Sequence, residues 1–93
     1  MEIASIRHKA LRRFAIEGRA KGLIEPDRLR DMLAYIDAAG SFEELALPPN
    51  FGLHPLTGDR AGCWAMTVAR NWRLTFTRIG DHAIGDLDLE DYH

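Results

Sequence analysis

The chain has a single cysteine among its 93 residues, Cys63, so no internal disulfide can staple it. It also lacks any apolar stretch near the roughly 18 residues that a membrane-spanning helix requires. Its opening residues, MEIASIRHKALRR, contain no apolar run of the signal-peptide kind. A cytoplasmic protein without membrane contact is expected. Linkers, internal repeats and low-complexity runs are missing as well, and the 46% apolar and 28% charged content excludes disordered and collagen-like classes. One domain over residues 1–93 follows, since a chain of this size buries roughly 60 to 70 per cent of its unfolded surface around one core.

An excess of positive charge is absent too. Twelve Lys and Arg stand against fourteen Asp and Glu, a formal net charge of -2. That argues against a nucleic-acid binder relying on phosphate neutralisation alone. The distribution is less even than the sum. Residues 1–30 hold eight basic and four acidic groups, and residues 60–78 hold Arg60, Arg70, Arg73 and Arg78 with no acid. Residues 79–93 hold Asp81, Asp86, Asp88, Glu90 and Asp91 with no Lys or Arg. This segregation predicts distinct electrostatic faces. Ten of the twelve bases are arginine, whose planar fork suits bidentate phosphate contact and base stacking.

Hydrophobic period divides the chain in two. Residues 2–6 read as an edge strand. Leu11, Phe14 and Ala15 repeat at helical spacing from about His8 to Glu17, and Gly18 offers a stop. Pro26 suits the first turn of a second helix, whose Leu29, Met32, Leu33 and Ile36 form an apolar stripe before Gly40. Ser41 and Glu44 have capping-box spacing for a short helix that Pro48 and Pro49 terminate.

After residue 52 the period becomes two. Trp64, Met66 and Val68 alternate with Cys63, Ala65 and Thr67; Leu74 and Phe76 alternate with Arg73, Thr75 and Thr77; Leu87 and Leu89 point inward in the last run. Arg70 with Asn71, and Gly80 with Asp81, make the turns. Residues 52–56 add a further strand. Helices first and antiparallel strands afterwards predict an α+β domain, with the N-terminal helices packed on one face of a mostly antiparallel sheet. Arg73, Thr75 and Thr77 should then look out from the open face. The last strand can bring Asp91, Tyr92 and His93 to that surface, and His54 can reach it from the side.

These residue types suit phosphodiester chemistry. Histidine titrates near neutrality, arginine clamps phosphate, and an aromatic ring stacks on an unpaired base. Taken singly, each has a plain structural reading, as a hydrogen-bonded strand histidine, a solvated sheet charge or a disordered chain end.

The segment His54 to Phe76, HPLTGDRAGCWAMTVARNWRLTF, together with the terminal DLDLEDYH, resembles the HigB toxin pattern of the RelE superfamily. HPL, GDR, a tryptophan, NWR and a closing DYH come in that order, with weaker similarity through HKALRRF near the start. The resemblance implies a RelE-like fold and a toxin that cuts messenger RNA in the ribosomal A site. It implies no metal or other cofactor. It also implies a HigA-like helix-turn-helix antitoxin as partner, through which the complex meets operator DNA. Matched position by position, it assigns proton transfer to His54 and His93, the phosphate to Arg73, base stacking or 2′-hydroxyl contact to Tyr92, and orientation of its neighbours to Asp91. Arg60 and Arg70 are candidate RNA contacts, although Arg60 also reads as the ion-pair partner of Asp59 in its loop. Trp64 and Trp72 read as packing residues.

Two positions depart from the pattern: Thr57 stands where the family usually has lysine, and Leu89 where many members have tyrosine, both of which would reduce RNA affinity or chemistry. Three alternatives stay open. One is a non-cleaving inhibitor of a protein target, as ParE-like relatives are of gyrase. A second is a degenerate toxin kept for antitoxin binding and operon repression. The third is a metal-dependent nuclease using Asp86, Asp88 and His93.

Overall fold

The computed structural model describes residues 1–92. In chain order the elements are β1 (Glu2–Ile3), α1 (Lys9–Glu17), α2 (Pro26–Ala38), α3 (Phe42–Leu45), β2 (His54–Pro55), β3 (Cys63–Ala69), β4 (Trp72–Ile79) and β5 (Ala83–Asp91). Two short 3-10 turns, Asn50–Gly52 and Gly58–Arg60, flank β2. The strands form one sheet of order β1-β5-β4-β3-β2, antiparallel except where β1 runs parallel to β5. The fold is α+β, as the change of period predicts. No helix among the described residues is long and apolar enough to cross a membrane.

Local chemistry fixes the helix ends. His8 caps α1, its Nδ1 accepting from the Leu11 N–H at 3.1 Å. Gly18 closes it in the left-handed region at φ 74°, its N–H reaching the Phe14 carbonyl, a conformation that costs glycine nothing. Pro26 opens α2, where its missing N–H has no helical partner to lose. The capping box at α3 does not form. Ser41 makes no side-chain cap, and Glu44 Oε2 accepts from the Gly40 N–H at 2.8 Å instead of turning back to Ser41. The Glu44 carboxylate thus secures the approach to the helix one residue earlier.

One sheet face carries the core. Leu11 and Phe14 of α1, Leu29, Met32 and Ile36 of α2, and Phe42 and Leu45 of α3 pack on Met66, Val68, Leu74, Phe76, Ile84, Leu87 and Leu89. Both tryptophans pack against this cluster, Trp64 edge-on to Phe42 at 4.9 Å between ring centroids. Leu89 is buried opposite Leu74. Its difference from the family's tyrosine therefore concerns packing against the helices, and the expected effect on RNA contact is corrected.

The inward alternation of β5 is reset by a bulge. Thr75 pairs with Asp88 and Thr77 with Gly85, so Asp86 and Leu87 oppose Phe76 alone, and Asp86 takes φ 50°. Ile84 and Leu87 are both buried as a result, three residues apart.

Leu74 is fully buried between Met66 and Leu89 on neighbouring strands. Leu74→Ala should cost about 2–5 kcal/mol. It should lower the thermal midpoint by roughly 10 °C or more for a domain of this size. A midpoint within a degree or two of the parent would contradict the packing described.

Candidate active site

Directly paired residues of antiparallel strands project to the same side. His54 pairs with Ala65, Ala65 with Thr75, and Thr75 with Asp88, while Arg73 lies between Thr67 and Glu90. The face away from the helices therefore carries His54, Arg73 and Glu90. Strand spacings of about 4.8 Å put the His54 and Thr75 backbones roughly 10 Å apart.

His54 follows a tightly wound turn. Asn50, Phe51 and Gly52 all have positive φ, at 36°, 48° and 70°, a costly sequence for the two non-glycine residues. Several contacts hold it. Asn50 Oδ1 accepts from the Gly52 N–H at 3.0 Å, the Phe51 ring meets Tyr35 edge-on, and the Arg28 guanidinium covers the Phe51 ring at 4.9 Å. The Tyr35 hydroxyl lies 2.6 Å from the Leu47 carbonyl, anchoring the segment before the turn. His54 Nδ1–H donates to the Gly52 carbonyl at 2.8 Å. A carbonyl can only accept, so in the neutral ring this bond leaves the lone pair on Nε2, as a proton acceptor requires.

Arg73 is met by Glu90 of β5 and by Tyr92 just beyond that strand. Its Nη2 lies 3.5 Å from Glu90 Oε1, and its guanidinium carbon sits 4.9 Å from the centroid of the Tyr92 ring. Tyr92 remains 42% exposed. Asp91 pairs with Trp72, and the Tyr92 N–H donates to the Asn71 carbonyl at 3.0 Å. Asp91 thus ends the strand and Tyr92 is tied just beyond it, beside the turn that carries exposed Arg70. His93, assigned to proton transfer by resemblance, falls outside the described residues.

Sequence reasoning passed over Glu90. Its carboxylate accepts from Arg60 through both terminal nitrogens, at 3.1 and 2.7 Å, and from the Thr75 hydroxyl. Arg60 thus pairs with Glu90, thirty residues away, and the expected Asp59 pair is corrected. Because the Arg60–Glu90 pair and the Thr75 bond cover the sheet at this point, Thr75 is only 3% exposed and does not look out as expected. The charge segregation read along the chain is also undone in space. Acid-rich β5 lies against base-rich β4, and Arg60, Arg73, Arg78 and Arg7 meet Glu90, Glu90, Asp81 and Asp86. Separate electrostatic faces do not result on this sheet.

A pocket of about 270 Å³ opens beside this cluster, lined by Arg7, Arg60, Cys63, Thr75, Asp86, Asp88 and Glu90 among others. His54, Arg73 and Tyr92 do not line it.

Comparison with known proteins bears on the whole chain. The family described as the RelE-like toxin of the type II toxin-antitoxin system HigB matches residues 4–93. The chain belongs to the HigB-like toxin family. A relative from Proteus vulgaris, named Endoribonuclease HigB, is 44% identical over 94 residues, covering 98% of this chain and 99% of its own length. The fold of this HigB-like chain is accordingly RelE-like.

The bidentate Arg60 contact, with the Thr75 hydroxyl and the nearby Arg73 charge, lowers the Glu90 pKa from 4.5 to about 2 against the opposing effect of burial. The Arg60 pKa is raised by the same pairing. A carboxyl whose pKa falls on folding contributes stability that is complete above its unfolded value and is lost as pH drops through the folded one. Glu90→Gln should therefore lower stability near neutral pH by about 1–2 kcal/mol, allowing for the solvent around half-exposed Arg60. It should also flatten the loss of stability between about pH 5 and pH 2. Melting curves across that range would decide it, and identical acid sensitivity in parent and variant would refute the pairing.

Proposed function

We propose that the chain is the toxin of a type II toxin-antitoxin pair, an endoribonuclease that cuts messenger RNA in the ribosomal A site. On this reading it acts in the cytoplasm and is silenced by a HigA-like helix-turn-helix antitoxin, through which it reaches operator DNA. Residues 1–93 act as one domain.

The observation that carries the reading is the arrangement of His54, Arg73 and Tyr92 on the sheet face away from the helices, in a chain of the HigB-like family. Internal transfer needs a base for the 2′-hydroxyl, charge stabilisation on the phosphoryl oxygens and a proton for the departing 5′-oxygen. His54 has the tautomer of a base when neutral. Arg73 supplies the phosphate contact, Tyr92 has ring surface exposed for a base, Asp91 orients the tail, and His93 is the second proton carrier. The 2′-oxygen attacks phosphorus as its proton leaves for a histidine, and the P–O5′ bond breaks as the 5′-oxygen gains a proton. The products are a 2′,3′-cyclic phosphate and a free 5′-hydroxyl. These steps use side chains alone, without a metal.

Dependence on the ribosome follows from what the surface has little of. The net charge is -2, and Arg60 has both terminal nitrogens on Glu90. Arg60 and exposed Arg70 are proposed as secondary RNA contacts, Arg60 only where phosphate competes with its carboxylate.

Inducing the chain without its neighbouring antitoxin gene should arrest growth, and co-expression should restore it. His54→Ala and Arg73→Ala should reduce cleavage on translating ribosomes by roughly 100-fold or more, read by primer extension. Growth arrest that survives both substitutions would instead indicate a non-cleaving inhibitor of a protein target. Thr57 precedes the Gly58–Arg60 turn. Thr57→Lys should raise the cleavage rate by about tenfold through one added phosphate contact. An unchanged rate would mean that this loop does not approach the message.

A further inference from the structure

We infer that Glu90 is a positioning residue for the cleavage reaction: its carboxylate fixes the Arg73 guanidinium where the phosphate is held, and Arg60 braces that carboxylate. The inference rests on the functional reading above for what Arg73 does, but not for how Arg73 is held.

The two arginines meet Glu90 differently. Arg60 makes a two-pronged contact at 3.1 and 2.7 Å, which commits its fork. Arg73 approaches through one nitrogen at 3.5 Å, close enough for charge attraction but beyond a good hydrogen bond. Its Nε is buried and has no hydrogen-bond partner among the described residues. Arg73 is therefore restrained without being fully used. A long arginine stem has much rotamer freedom to lose when its head is fixed. Here that freedom is limited by Glu90 and by the ring of Tyr92, two residues further along the chain and just past the end of β5.

Glu90 itself is badly suited to proton transfer. Its oxygens are taken by Arg60 and Thr75, and its pKa of about 2 leaves it ionised throughout the neutral range. Its contribution runs through Arg73. It also places a negative charge where the RNA phosphate must come, so its removal should have opposite effects on binding and on rate.

Two measurements on Glu90→Gln, a substitution of nearly unchanged shape, test this. In the ribosome-free protein labelled with nitrogen-15, the Arg73 Nε–Hε signal should be sharp in the parent and exchange-broadened in the variant. In ribosome-dependent cleavage, the rate at saturating toxin should fall roughly 10-fold to 100-fold, the scale of misplacing a reacting group, while the half-saturating concentration stays level or falls. A purely structural role would leave the saturating rate intact well below the melting temperature. An unchanged Arg73 signal or an unchanged saturating rate overturns the inference. Should Glu90→Gln fail to fold, Thr75→Val removes one tie to the carboxylate and should broaden the same signal; a sharp signal there overturns the inference equally. If the parent cuts nothing on ribosomes, the functional reading falls, while the Arg73 signal still decides whether Glu90 holds it.

Discussion

A single carboxylate ties together the part of this molecule that has no hydrophobic core to organise it. Helices cover one sheet face, and close packing there holds the buried side chains. On the other face charged and polar contacts take the larger part, and several of them meet at the Glu90 carboxylate, joining Arg60 from a loop with Thr75 and Arg73 from β4. A partly buried charge is costly unless it is paired and hydrogen-bonded. With Glu90 only 22% exposed, the loop has one strongly favoured position, that which brings Arg60 to the carboxylate. The shape of the face is thereby set by charge pairing, as that of the opposite face is set by packing.

Strand β5 links the two. Leu87 and Leu89 point into the core, while Glu90 and Tyr92 hold Arg73 on the other side. The bulge at Asp86 makes this possible, because it admits one extra residue and still returns Leu87 and Leu89 to the buried side. A chain end would ordinarily fray. Here Asp91 is still within the ladder and the Tyr92 N–H is bonded to Asn71, so these two tail residues inherit the order of the strand.

What the sequence made legible was local. Leu11 with Phe14, the Pro26 start, the Gly18 stop and the alternation around Leu74 are all set by neighbours a few residues away, and each forms as its pattern suggests. The outward side of Arg73 was readable for the same reason, from its alternation with Leu74, whereas the place of Glu90 beside it follows only from the strand register. The errors concern choices between partners. Asp59 is adjacent to Arg60 in sequence and Glu90 is thirty residues distant, yet Glu90 receives the fork, because the sheet register brings it there already beside Thr75. Glu44 likewise chose Gly40 over Ser41. Thr75 was read as outward from alternation alone, which gives the side of the sheet but not what another segment lays over it.

Under the proposed function, the same pairing bears on why cleavage would depend on a ribosome. Each phosphate contact made by a free cation releases counterions and adds to affinity, and a binder with few such contacts holds RNA weakly at physiological salt. On this face Arg60 is committed to a carboxylate and Arg73 lies beside one, and the whole chain is slightly acidic. Under the proposed function these arginines are arranged for placement at the expense of affinity. An RNA already held by a larger assembly does not need to be bound tightly, only to meet a proton acceptor and a fixed cation at the scissile linkage. Oriented intramolecular reactants gain far more from such placement than one additional surface contact supplies. On the proposed function, a carboxylate that weakens binding while fixing a guanidinium is no contradiction, with the affinity left to the ribosome and the geometry to the toxin.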